Sequence, residues 1–140
     1  MTLDRDLLGE RAQTIERHLR RVAERLPANP SDLEPASDAS DAVVLHLWQA
    51  TQVVIDLAAA ACLLWGLGTP TSYADAFRRL GDAGILEPAL AERLARAAGF
   101  RNLVAHAYDR LDMARVHAAA THGPADLRLF LAALRDRMQA

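Results

Sequence analysis

Residues 42–68 read AVVLHLWQATQVVIDLAAAACLLWGLG. Only His46, Gln49, Thr51, Gln52 and Asp56 interrupt the apolar run before Gly66. Across the chain 51% of residues are apolar, mostly alanine and leucine, and only 5% are aromatic. Small and unbranched side chains lose little rotamer freedom in a helix, so the stretch predicts a helix beginning near Ser40 or Asp41 and ending about Leu67. Gly66 and Gly68 stop it and Pro70 excludes its continuation. A helix apolar nearly all round is one packed on several sides. The rest of the fold has to be built around it.

Upstream, Leu3, Leu7, Leu8, Ile15, Leu19, Val22 and Leu26 recur at helical spacing with Arg and Glu between them, predicting an amphipathic helix over 3–26. Residues 27–40, PANPSDLEPASDAS, hold three prolines and predict a crossover loop. Downstream, Ser72 and Asp75 approximate a capping box for a short third helix ending at Gly81, and Gly84 marks a turn. Pro88 suits the first turn of a fourth helix, because its missing N–H would have been unpaired there anyway. Asp112 is the expected N-cap of the last helix, which Gly123-Pro124 should kink or break. The sum is an all-α chain of five helices with no strand, forming one domain over residues 1–140.

The net charge of −2, from 16 basic and 18 acidic residues, excludes a chain-wide field for polyanions. Any nucleic-acid contact must be local. Arg78, Arg79, Arg93, Arg96 and Arg110 offer such a patch, although their spacing equally fits an ordinary solvated face. The single cysteine, Cys62, lies inside the apolar helix, which leaves no intrachain disulfide and no thiolate zinc site. His117 and His122 have no further ligand at metal spacing, so neither metal nor cofactor is expected. His46 fits a hydrogen-bonded core histidine, and Trp48 and Trp65 fit packing anchors. No apolar leader opens the chain, and the weakly charged run from Val53 to Tyr73 is interrupted by Asp56, two glycines and Pro70. A soluble, cytoplasmic protein is the expectation.

The fourth helix carries the polar set that this scheme does not explain. At about 100° per residue, Leu90, Leu94, Ala97, Arg101, Val104, Ala105 and Tyr108 fall on one stripe, while Ala95, Gly99, Asn102 and His106 share another face. Arg101 and Tyr108 therefore stand on the stripe expected to face the bundle. Gly99 inside a helix costs roughly 1 kcal/mol relative to Ala, and its use would be close approach by another backbone or a ligand. So little solvated surface is left around residues 97–107 that a second subunit is expected to cover what the bundle does not. Asp56, a carboxylate amid apolar residues, needs a partner, and Arg101 is the candidate by character.

An arginine fork matches phosphate oxygens and a histidine exchanges protons near neutral pH. Together the two can cleave RNA without a metal, the imidazole moving the proton and the guanidinium stabilising the transition state. Asn102, one turn before His106, could hold the imidazole or meet the substrate. Arg101 and His106 are about 140° apart on an ideal helix, too far round to share one phosphate easily, so two helices crossing at a dimer axis would ease the geometry. A core with satisfied polar residues and no chemistry explains the same spacing.

Residues 99–108, G-F-R-N-L-V-A-H-A-Y, resemble the signature of the HepT-like toxins of the HEPN superfamily: R-N, three mostly apolar residues, then H-x-Y. Ile55-Asp56-Leu57-Ala58, Ala76-Phe77 with Leu80, Gly84-Ile85, and Asp126-Leu127-Arg128 before Phe130 follow in the family's order, so the resemblance spans most of residues 40–135. It implies a five-helix HEPN-type up-down bundle with a four-helix core. It further implies a homodimeric, metal-independent endoribonuclease toxin with Arg101 and His106 as catalytic residues, Asn102 and Asp56 in support, and RNA as substrate at the dimer cleft. The implied partner is an MntA-like minimal nucleotidyltransferase antitoxin that transfers AMP to Tyr108, with a higher assembly formed between the two. No DNA or membrane partner is implied. Two other readings fit the same residues: a non-catalytic helical module that binds and positions a nucleotidyltransferase, and a structural dimer whose polar set only pairs across the interface.

Overall fold

The computed structural model describes residues 2–139. Five α-helices follow in order: α1 (Arg5–Arg25), α2 (Asp38–Leu64), α3 (Tyr73–Asp82), α4 (Pro88–Ala107) and α5 (Met113–Gln139). Short 3-10 turns at Pro30–Asp32 and Tyr108–Arg110 complete the path, and no strand occurs among the described residues. The all-α architecture is the one its sequence predicts.

Each helix begins at a residue able to satisfy its unpaired N–H groups or excused from doing so. Asp4 accepts from the Leu7 amide at 2.8 Å and Ser72 from the Asp75 amide at 3.0 Å. Pro88 occupies the first turn of α4 as expected. Asp112 accepts from the Ala114 amide at 2.9 Å at the head of α5. The start of α2 lies earlier than the apolar run suggests. Ser37 and Ser40 form a reciprocal capping box, each hydroxyl oxygen accepting the other residue's backbone N–H at 3.1 Å. A serine stands where such a box usually has Glu or Gln, which hides it in the sequence.

α2 is the axis of the fold and touches all four other helices. Val43, Val44, Leu47, Ala50, Val54, Ile55, Leu57, Ala58 and Ala61 are almost inaccessible. By length and apolarity alone α2 could cross a membrane, but 56% of its most apolar window is buried inside the bundle, as in the core helix of a folded domain. It closes at Leu64, three residues before the expected end. Gly66, at φ +67°, adopts the left-handed conformation that turns the chain away, and the Leu67 amide bonds back to the Cys62 carbonyl at 2.8 Å. Cys62 is buried and its thiol is pushed above the usual range by desolvation, so it is an inert packing group.

Of the kink or break expected at Gly123-Pro124, the break does not occur in α5. The helix continues without interruption through both residues. Proline there removes the N–H that would bond to the Ala120 carbonyl, but Val116, His117 and Ala120 before it and Leu127, Phe130, Leu131 and Leu134 after it are all buried. Burial of both halves on the same bundle holds the helix together across the defect. Phe130 meets Phe77 edge-to-face at 5.7 Å between centroids, joining α5 to α3. Three of the five arginines considered as a basic patch are paired: Arg78 with Glu92 at 2.9 Å, Arg79 with Asp75 at 2.6 Å and Arg93 with Asp126 at 3.0 Å. They are a solvated, paired face.

Two histidines tie α1 to α2. His18 Nδ1 and His46 Nδ1 lie 3.0 Å apart, so one ring donates and the other accepts. Burial, then the neighbouring His46 and Arg17, hold His18 below its usual 6.5. A base whose folded pKa is depressed favours folding in its neutral form. That contribution is present above the unfolded value and lost as pH falls through the folded one. Thermal stability should therefore decline on acidification below about pH 6.5, and the decline over the first unit or so should be smaller in His18→Leu, measured by circular dichroism. A second expectation concerns α3 and α4, where a Cβ on Gly81 would lie 2.8 Å from the Ala91 Cβ. Gly81→Ala should force the two helices apart and destabilise the fold by about 1–3 kcal/mol in urea titration.

Candidate functional site

The polar residues of α4 gather at its C-terminal end, and α2 arranges them. Trp48, Gln52 and Asp56 stand one helical turn apart on α2, forming a single row. Arg101 lies against this row. Its Nε donates to Gln52 Oε1 at 2.6 Å and its Nη1 to Asn102 Oδ1 at 3.2 Å. Its guanidinium carbon sits 5.6 Å from the centre of the Trp48 ring and 5.3 Å from that of Tyr73, close enough for both rings to attract the cation. Arg101 is half-buried and forms no ion pair among the described residues. The Trp48 Nε1 is the one buried side-chain nitrogen or oxygen without a partner there, so that position serves through its ring rather than its N–H.

Asp56 is placed differently from the expectation. It is exposed, not buried, and does not touch Arg101. Its Oδ1 instead accepts from Gln52 Nε2 at 3.0 Å. The carboxylate attracts the amide's NH₂ end and thereby turns the amide oxygen towards the guanidinium, so Asp56 acts on Arg101 only through Gln52. Asp56 can be exposed because it stands on a stripe of α2, shared with Leu45 and Leu63, that the other helices leave uncovered. Gln52 escaped the sequence reading. The available signal was its position four residues before Asp56, the spacing at which glutamine and aspartate pair on a helix.

His106 occupies the last turn of α4, exposed and without a protein hydrogen bond among the described residues. Asn102, one turn earlier, bonds to Arg101 rather than to His106. No hydrogen bond joins Arg101 to His106: one side chain leans on α2 and α3 while the other faces solvent. Gly99, Asn102, Leu103, Ala105 and His106 are all exposed, and nothing lies within 4 Å of where a Gly99 Cβ would stand. Close approach at Gly99 is therefore not made within this chain.

Tyr108 is not on the α4 stripe. The helix ends at Ala107, whose φ and ψ of −143° and 40° are not helical, and Tyr108 begins the 3-10 turn. The break has a cause downstream, since Leu111 packs against the buried group that includes Val43, Val44, Leu47 and Val116, and Asp112 must cap α5. The Tyr108 hydroxyl donates to the Asp41 carboxylate in the first turn of α2. That bond first, then burial and the negative charge, pushes the phenol from its usual 10 up to about 12. A pocket of 330 Å³ lies alongside, walled by Pro35, Ala36, Val44, Leu111 and Met113. Among the described residues no three His, Cys, Asp or Glu side chains lie together as metal ligands would.

The arrangement can thus present a half-buried, ring-flanked guanidinium with its Nε held by Gln52, an exposed imidazole on the same helix end, and a phenol held by a carboxylate. Several comparisons bear on it. The mRNA nuclease HepT of Shewanella oneidensis strain MR-1 is 25% identical over 126 residues, 90% of this chain and 94% of that one. A toxin–antitoxin crystal structure with AMP-PNP has the same fold, with a TM-score of 0.85 at 24% identity over 94% of this chain and 98% of its counterpart. The tri-AMPylated Shewanella oneidensis HEPN toxin in complex with MNT antitoxin matches at a TM-score of 0.85 and 24% identity over 95% and 99% of the two chains. The description of the Ribonuclease HepT-like family fits residues 15–134, from the middle of α1 almost to the end of α5. With the HEPN fold and the family span both in place, the chain belongs to the ribonuclease HepT-like family and is an RNA-cleaving enzyme.

Proposed function

We propose that the chain is the toxin of a toxin–antitoxin pair, an endoribonuclease that cuts RNA without a metal ion in a cleft shared by two copies. The observation that carries this reading is Arg101: a half-buried cation with no carboxylate partner, held at Nε by Gln52 and flanked by two aromatic rings. Holding an unpaired guanidinium this way is costly unless an anion arrives. Phosphate is the anion its planar fork fits. His106 takes the proton of the 2′-hydroxyl or gives one to the departing 5′-oxygen, while Arg101 offsets charge on the non-bridging oxygens of the phosphorane. One protomer does not bring the two side chains together. The uncovered face of Gly99, Asn102, Leu103 and His106 supports a second copy as the source of the missing group.

Asn102 and Asp56 then act as positioning residues, the first by bonding Nη1 directly and the second through Gln52. Tyr108 is the acceptor of AMP from a nucleotidyltransferase antitoxin. The likeness to a tri-AMPylated toxin supports this, as does the position of Tyr108, two residues after His106 and 46% exposed. Added phosphodiester charge beside the RNA site repels the substrate.

Purified protein should cut RNA in the presence of a chelator. Arg101→Ala and His106→Ala should each lower the rate by about 10²–10⁴-fold while the helical circular dichroism spectrum is kept; persistent cutting by the histidine variant would remove it from the mechanism. Gln52→Leu should cost about tenfold or more in kcat with little change in KM, in line with loss of one charge-assisted hydrogen bond, and Asp56→Ala should cost less, because it only orients the amide. Equal rates in Gln52→Leu and wild type would show that Arg101 needs no such support.

A further inference from the structure

The bond between Tyr108 and Asp41 joins residues 67 positions apart and ties the turn after α4 to the head of α2. Asp41 is held in place by the start of that helix: its own amide bonds to the Ser37 carbonyl at 2.9 Å, inside the turn fixed by the serine capping box. The first turn of a helix favours a negative side chain. Asp41 forms no ion pair with any described arginine, so its carboxylate is not engaged elsewhere. Both partners are exposed, and the 330 Å³ pocket beside the hydroxyl leaves room on that side. A hydrogen bond this exposed contributes little to folding, yet it aims a carboxylate oxygen directly at the proton a nucleophilic tyrosine has to lose.

We propose that Asp41 is the general base for AMP transfer to Tyr108, so that the toxin supplies part of the catalytic machinery for its own modification. The inference rests on the reading of Tyr108 as the AMP acceptor. In the step, Tyr108 Oη attacks the α-phosphorus of the nucleoside triphosphate held by the nucleotidyltransferase. The Oη–P bond forms, the bond from that phosphorus to the bridging oxygen breaks, pyrophosphate leaves with the electron pair, and the phenolic proton passes to Asp41 and then to water. The carboxylate bonded to the Tyr108 hydroxyl raises the phenol to about 12 and leaves little phenolate near neutral pH, which favours removal of the proton by that carboxylate during attack. As the Oη–P bond forms, the phenolic oxygen becomes a far stronger acid, and transfer to a carboxylate already bonded to it turns downhill. The product has no hydroxyl hydrogen left, so the tie between the turn and α2 is lost with the same step.

The test is single-turnover transfer of radiolabel from [α-³²P]ATP by the cognate nucleotidyltransferase to wild type, Asp41→Asn, Asp41→Glu and Tyr108→Phe, between about pH 6.5 and 9.5. Taking the ratio of wild-type to Asp41→Asn rates cancels titrations of the partner. Asp41→Asn is expected to be slower by about 10²-fold or more near pH 7. The deficit should shrink about tenfold per pH unit as phenolate forms unaided. Asp41→Glu should recover part of the rate, and the Tyr108 phenol in Asp41→Asn should titrate back towards 10 by ultraviolet absorbance. Equal rates for wild type and Asp41→Asn, or a deficit that does not close as pH rises, overturn the role of Asp41. Labelled wild type beside unlabelled Tyr108→Phe upholds the acceptor reading whatever Asp41→Asn does. An unlabelled wild type overturns that reading and this inference with it.

Discussion

Everything in this fold follows from the need to cover α2. A 27-residue helix with apolar side chains in nearly every direction is stable in water only when other helices surround it, and each of the four does so. That leaves few places on α2 for polar groups, and several of them reach other elements. His46 meets His18 of α1. The row of Trp48, Gln52 and Asp56 holds Arg101. Asp41, in the first turn, holds Tyr108. Asp41 and Gln52 are eleven residues apart, about 16 Å along the axis. The most buried helix thus fixes both ends of the polar set that α4 and its following turn carry.

This division of labour explains what the sequence disclosed. Helix number and type were legible because alanine, leucine and arginine at helical spacing admit no competing period, and because Pro88, Asp112 and Gly84 act through local backbone chemistry. The grouping of Arg101, His106 and Tyr108 as a candidate site came from the resemblance to a family, since spacing alone fits a plain core equally well. Tertiary contacts hid the rest. Asp56 looks buried when read among its apolar neighbours, yet one row of even a core helix can remain open. Tyr108 looks like a continuation of α4 until the demands of Leu111 and Asp112 one turn later are known. Pro124 looks like a break because the burial of Leu127 and Phe130 against the same bundle as Val116 cannot be weighed from sequence.

Asp56 and Gln52 show how a wrong contact can contain a correct inference. The sequence argument held that a carboxylate among apolar residues needs a partner and that Arg101 is the cation within reach. The structure inserts an amide between them. A direct carboxylate–guanidinium bond would neutralise Arg101 and occupy two of its donors, leaving a weaker site for phosphate. Gln52 fixes Nε while leaving the net charge in place, and Asp56 fixes Gln52 from one turn away. An intervening amide therefore orients the cation without cancelling it.

The same logic applies to the face around Gly99. Glycine within a helix costs roughly 0.5–1 kcal/mol relative to alanine, and here nothing in the chain approaches the missing Cβ. Leu103 is 41% exposed on the same helix end, and His106 has no partner there among the described residues. Three residues at one end of α4 are thus each suited to a neighbour that one chain does not provide: an open backbone, an apolar side chain and a free imidazole. Arg101, on the other side of the helix, already has its supports and lacks only an anion. A second copy packing its own α4 across this face would cover Leu103, use the space at Gly99 and place His106 at the seam between the two chains.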